Sequence, residues 1–103
     1  MKTNKEFIVG FNDKITYEKV NDEYCVYNKE TNRMVILNST ASVVFEFIIN
    51  LNATENKSNI DDVVAYMRKF VEFSEHHQTD VYLDIENVLR EINKENIVSI
   101  SFT

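Results

Sequence analysis

The chain has no proline and no tryptophan, and only one glycine and one cysteine in 103 residues. The lone cysteine, Cys25, excludes an internal disulfide and any all-cysteine metal cluster. The lone glycine, Gly10, excludes the glycine-rich loops that let a backbone close around phosphate. Basic charge is scarce: 11 Lys and Arg stand against 17 Asp and Glu, for a formal charge of −6. A protein that binds nucleic acid by neutralising phosphates needs the opposite balance. Long apolar runs are missing as well. A membrane-spanning helix needs about 20 apolar residues, whereas the longest run here, Val43 to Ile49, is interrupted by Glu46. The start, Met1 to Glu6, is charged, and Phe7–Phe11 is too short for the core of a secretion signal. The expectation is a cytoplasmic protein with a reduced thiol. Asn-x-Ser/Thr triplets begin at Asn38, Asn52 and Asn56, which chance explains in a chain so rich in asparagine.

What is present is an ordinary globular balance, with 44% apolar and 27% charged residues, which argues against disorder and, at this length, for one domain spanning 1–103. Three segments have strand composition, rich in β-branched and aromatic residues: Ile15–Val20, Glu23–Tyr27 and Arg33–Leu37. Asn21-Asp22 makes a tight turn between the first two, and the polar Asn28–Asn32 links the second to the third. This spacing predicts an antiparallel meander. Tyr17, Tyr24 and Tyr27 are assigned to its watered face.

From Asn38 the period changes to that of a helix. Asn38 or Ser39 can cap it, and Ala41, Val44, Phe45, Ile48 and Ile49 form one apolar stripe. After a polar loop, Ser58-Asn59-Ile60-Asp61 resembles a capping box. The second helix carries Ile60, Val63, Val64, Met67 and Val71 on one face, with Phe70 and Phe73 at its far end. A third helix, capped by Thr79 or Asp80, buries Val81, Ile85, Val88, Leu89 and Ile92. Asn96 accepts the left-handed conformation that ends it, and Ile97–Phe102 is a short strand. Strands followed by helices in one small chain predict an α+β fold, with a three-stranded antiparallel meander followed by a three-helix bundle.

No reaction class can be assembled from the available side chains. His76 and His77 are adjacent and so point different ways, unlike a chelating pair at i and i+4. Cys25 sits mid-strand without the basic, open setting of a catalytic thiol. Asp61 and Asp62 fall in a helical first turn, where the dipole favours negative charge. No enzyme, cofactor or metal is expected. What remains is binding. The strand Arg33–Leu37 can lie at a sheet edge, whose unpaired amides and carbonyls accept a guest strand. The competing expectation is that the tail, Ile97–Phe102, covers that edge.

Three segments carry a family resemblance. Tyr27–Ala41 leading into Val44-Phe45 resembles the strand–turn–strand and Leu-Asn-x-x-Ala-x-x-Ile/Val-aromatic signature of the coenzyme PQQ synthesis protein D (PqqD-like) family, here Leu37-Asn38-Ser39-Thr40-Ala41. Asp84-Ile85, Val88-Leu89, Ile92 and Asn96-Ile97-Val98 resemble its last helix, and Ile60–Val64 its middle one. Asn50-Leu51-Asn52-Ala53 departs from the Asp-Gly often found there, and Asn96 replaces a glycine. The resemblance implies a winged-helix-like recognition element for the leader of a ribosomally made precursor peptide. It further implies that the leader adds as a strand beside the third strand, in a groove formed with the third helix. The domain itself is then non-catalytic and presents the peptide to a modifying enzyme such as a radical-SAM protein, or to a processing peptidase. Carried onto this chain, the strand side of the groove is Arg33, Met34, Val35, Ile36 and Leu37. Asp84, Val88 and Glu91 form a stripe that borders it, and Arg33 and Arg90 are anchors for leader carboxylates.

Two other readings stand beside this one. A winged-helix DNA-binding regulator needs a basic recognition helix, but the third helix sets Asp84, Glu86, Glu91 and Glu95 against Arg90 and Lys94. An assembly subunit would pair its edge strands into a homodimer.

Overall fold

The computed structural model describes residues 5–51, 56–69 and 78–102, with side chains from Val81 in the last segment. The elements are β1 (Glu6–Phe11), β2 (Ile15–Val20), β3 (Glu23–Asn28), β4 (Arg33–Ile36), α1 (Ser39–Ile49), β5 (Lys57–Asn59), α2 (Ile60–Met67), α3 (Gln78–Lys94) and β6 (Val98–Phe102). The fold is α+β, with two three-stranded antiparallel sheets and three helices. One sheet is the expected meander, ordered β2-β3-β4; the other is ordered β5-β1-β6.

Local signals set the connections. A chain with a single glycine places its left-handed residues on side chains that tolerate that region: Asn21 (φ 51°), Asp22 (φ 68°), Asn32 (φ 60°) and Asn96 (φ 60°). The first two close the β2–β3 hairpin, Asn32 closes β3–β4, and Asn96 follows the end of α3. Asn38 caps α1, its Oδ1 accepting from the Ala41 amide at 2.8 Å. The cap of α2 lies one residue later than the capping-box expectation. Asn59 Oδ1 accepts from the Asp62 amide at 2.9 Å, and Ser58 Oγ donates to Asp62 Oδ2 at 3.3 Å. Phe70, Val71 and Phe73, assigned to α2, lie outside the described residues, as do His76 and His77. Thr79 and Asp80, expected to cap α3, fall within its helical backbone.

The second sheet is a finding of the tertiary structure. β1 pairs with β6 from Phe7↔Phe102 to Phe11↔Val98, and with β5 from Glu6↔Asn59 to Ile8↔Lys57. The tail therefore lies against β1. Phe7 and Val9 are buried while Ile8 between them is exposed, so one face of β1 enters the core. There it meets Ile60, Val63 and Met67 of α2, Ile85 and Leu89 of α3, and Ile100 of β6 in one apolar cluster. Gly10 sits opposite Ser99, whose Cβ would stand 3.3 Å from an added methyl.

The tyrosines divide between the faces of the meander. Tyr17, Tyr24, Val26, Val35 and Leu37 share the inner face by register. Tyr24 is buried there, its ring edge-on to Phe45 at 5.1 Å, which corrects its assignment to the watered face. Tyr17 shares the inner face but is 51% exposed. Tyr27 lies on the outer face, where its hydroxyl bonds Asn32 Oδ1. No described helix is long and apolar enough to cross a membrane.

Candidate functional site

Among the described residues β4 pairs on one side only, with β3, so its other side is a sheet edge. The Leu37 amide donates to the Tyr24 carbonyl at 2.8 Å. In an antiparallel ladder the bonded residues alternate, so Val35 also turns its amide and carbonyl toward β3. Met34 and Ile36 therefore present theirs outward. The ladder stops at Leu37 because Ser42 of α1 enters it. Ser42 Oγ accepts from the Tyr24 amide at 2.9 Å and donates to the Leu37 carbonyl at 3.1 Å. That pair of bonds fixes the start of α1 beside the end of β4.

Along the free edge lies a cavity of about 330 Å³ between β4 and α3. Val35, Ile36 and Leu37 line its strand side, and Val88, Glu91 and Ile92 its helix side. Val88 is half-buried, Ile92 is buried and Glu91 is exposed, which gives an apolar floor and an acidic rim. At one end Arg33 Nη2 stands 3.2 Å from Glu95 Oε1. That oxygen is out of contact with solvent and makes no aligned hydrogen bond, so its partner is held by charge alone. Asn38, Ala41 and Asn87 line the cavity too.

Of the residues expected from sequence, Val35, Ile36, Leu37, Val88 and Glu91 come together around this cavity. Arg33 stands at its end through Glu95. The side chain of Met34 points to the opposite face of the sheet and is 64% exposed. Asp84 is exposed on α3 and does not line the cavity. Arg90 points elsewhere: it donates to Glu86 Oε2 at 2.6 Å through Nη2 and lies over the Phe102 ring at 4.7 Å. Along the cavity, α3 and the residue after it present the polar residues Asn87, Glu91 and Glu95; of the expected stripe, Val88 and Glu91 line the cavity and Asp84 does not. The i, i+4, i+8 spacing of those polar residues beside Val88 and Ile92 is the signal that identifies them.

A second polar cluster braces the fold away from the cavity. Glu46 of α1 accepts from Tyr24 Oη at 2.9 Å, Lys19 Nζ at 3.2 Å and Tyr66 Oη at 3.2 Å, joining β2, β3 and α2. Burial, then the bond to Glu46, pushes the Tyr24 phenol up to about 12. The Tyr24 hydrogen bond in turn holds the Glu46 carboxyl below its ordinary value, against the opposing effect of burial. Among the described residues no three His, Cys, Asp or Glu side chains gather as metal ligands.

No family model and no curated protein matches the chain. A solved structure described as TbiB1 in complex with the TbiA(beta) leader peptide is similar to it, with a TM-score of 0.69. The likeness covers 87% of this chain and 94% of that one at 12% sequence identity. At that identity it establishes a shared fold.

Proposed function

We propose that this protein is a leader-peptide recognition element of the PqqD-like kind. It binds the leader of a ribosomally made precursor as an added strand on β4 and presents the peptide to a separate modifying enzyme, such as a radical-SAM protein, or to a processing peptidase. One observation carries the reading: the outward amides and carbonyls of Met34 and Ile36 run beside a cavity with an apolar floor. Main-chain groups give a guest strand affinity that is indifferent to its sequence, and the side chains it turns into the cavity give selectivity. Each main-chain bond contributes a net of about 0.5–1.5 kcal/mol. The few bonds that β4 can offer therefore need apolar anchors over Val35, Val88 and Ile92 to overcome the cost of association. The TbiB1 structure supports the reading in kind, since its described partner is a leader peptide and the fold is shared.

Nothing in this scheme requires chemistry from the domain itself. Its work is to raise the local concentration of the precursor at its partner enzyme. The test is a titration of isotope-labelled protein with the leader of a precursor encoded beside its gene. Amide shifts concentrated on Met34, Ile36, Val88 and Glu91 are expected. Shifts confined to the β5-β1-β6 sheet would refute the assignment. Light scattering during the titration separates peptide capture from a homodimer closed through the same edge.

A further inference from the structure

We infer that Glu91 sets the specificity of this groove, selecting guest strands that carry a Lys or Arg two residues from an apolar side chain, both on the groove-facing side. This rests on the peptide-binding reading above and deepens it. Residues four apart on a helix are about 6 Å apart along its axis. Same-face residues of a strand are spaced by about 6.8 Å. Successive groove-facing side chains of a guest on β4 therefore meet successive members of the α3 stripe Asn87, Glu91, Glu95.

Those three positions differ in what they ask for. Asn87 is uncharged, is about two turns of helix from Glu95, and lines the cavity that also holds the apolar Leu37, Ala41 and Val88. Glu95 already has a cation, the Arg33 guanidinium. Glu91 lies between them, exposed at the rim, and among the described residues its carboxylate makes no ion pair or hydrogen bond. A guest side chain at the Asn87 end is thus received by apolar surface, and the next one on that face meets an uncompensated anion. A cation there gains a partner, whereas a second carboxylate is repelled.

The test uses the full chain and a display library of random nonapeptides as the probe, selected on the wild type, Glu91→Gln and Glu91→Lys. The wild type should enrich Lys or Arg two positions from an apolar residue. Glu91→Gln should weaken the selected peptides by about three- to fivefold, the size expected of a partly exposed ion pair, with the loss shrinking in high salt. Glu91→Lys should enrich Asp or Glu at that position instead. Binders that shift the Met34 and Ile36 amides yet show no basic preference, or that bind Glu91→Gln unchanged, overturn this inference and leave peptide binding at β4 standing. A selection that yields no binders, or binders whose shifts lie on another face, overturns the peptide-binding reading and this inference with it.

Discussion

Arg33 Nη2 and Glu95 Oε1 lie 3.2 Å apart, tying the first residue of β4 to the residue after the end of α3. The two residues lie some sixty positions apart in sequence, yet this contact closes one end of the cavity between strand and helix. Past the end of β4, Ser42 holds the Leu37 carbonyl against the start of α1. The Arg33–Glu95 contact is thus the polar tie between the two walls, and the floor of the cavity is left to Val35, Val88 and Ile92.

The outward register of β4 predicts a contrast between two proline variants. Ile36→Pro removes an outward amide from an edge strand, a place where proline is tolerated. It should leave the melting temperature nearly unchanged and weaken leader binding by about three- to tenfold, one main-chain bond. Val35→Pro removes an amide that faces β3 and should unfold the hairpin, seen as a loss of dispersed amide signals. Equal folding and equal affinity for both variants would show that no strand is added there.

Ser42 is 2% exposed, and its hydroxyl serves the Tyr24 amide and the Leu37 carbonyl at once. Ser42→Ala leaves both groups buried without that partner. A loss of about 1–3 kcal/mol in urea unfolding is expected, the cost of an unsatisfied buried backbone group.

The Tyr24–Glu46 bond makes stability depend on pH at both extremes. Below pH 10 the Tyr24 phenol is protonated in both folded and unfolded chains, and its contribution is intact. Between 10 and about 12 the unfolded chain releases the proton while the folded one keeps it, so stability falls across that window. The full difference corresponds to something on the order of 3 kcal/mol. At the acid end, the lowered carboxyl of Glu46 contributes above its ordinary value of 4.5, and that contribution is lost as pH falls below it. Glu86, held down by Arg90 and Lys5, adds in the same direction. Denaturant titrations at pH 9, 11 and 3.5 check this. Tyr24→Phe should remove most of the alkaline loss, and Tyr66, also raised, should retain a smaller share.

Asn96 holds φ at 60° where α3 gives way to β6. Asn96→Ala should cost about 1 kcal/mol, because alanine keeps the Cβ that opposes the left-handed region and loses the short polar side chain that offsets it, whereas Asn96→Gly, with no Cβ, should be neutral or stabilising. The backbone carbonyl there, which accepts from Asn12 and Asn28 amides at 3.3 Å, is present in every variant. Thermal melts of the pair separate strain from lost side-chain contacts.

Much of this was legible from residue order, because it depends on neighbours in the chain. The Asn21-Asp22 turn, the left-handed Asn96, the Asn38 cap, the β2-β3-β4 meander and the buried stripe Val81, Ile85, Leu89, Ile92 all follow from spacing of two or 3.6 and from short side chains that bond their own backbone. The candidate groove was legible on its strand side, Arg33–Leu37. On its helix side Val88 and Glu91 line the cavity, Asp84 does not, and Asn87 was missed. Arg90 carried the right chemistry for an anchor but faces Glu86 and Phe102, and only three-dimensional packing assigns a surface arginine to its partner.

The sequence by itself determined the α+β class and the order of the meander and helices, because composition and local periodicity carry those. Tertiary structure decided where the tail goes. Ile97–Phe102 could extend either sheet, and the choice depends on β1, whose residues Phe7 and Val9 bury against α2 and α3 only when β6 and β5 flank them. By pairing with β1 the tail leaves the Met34 and Ile36 backbone open, and strand pairing between segments some ninety residues apart cannot be read from either segment alone.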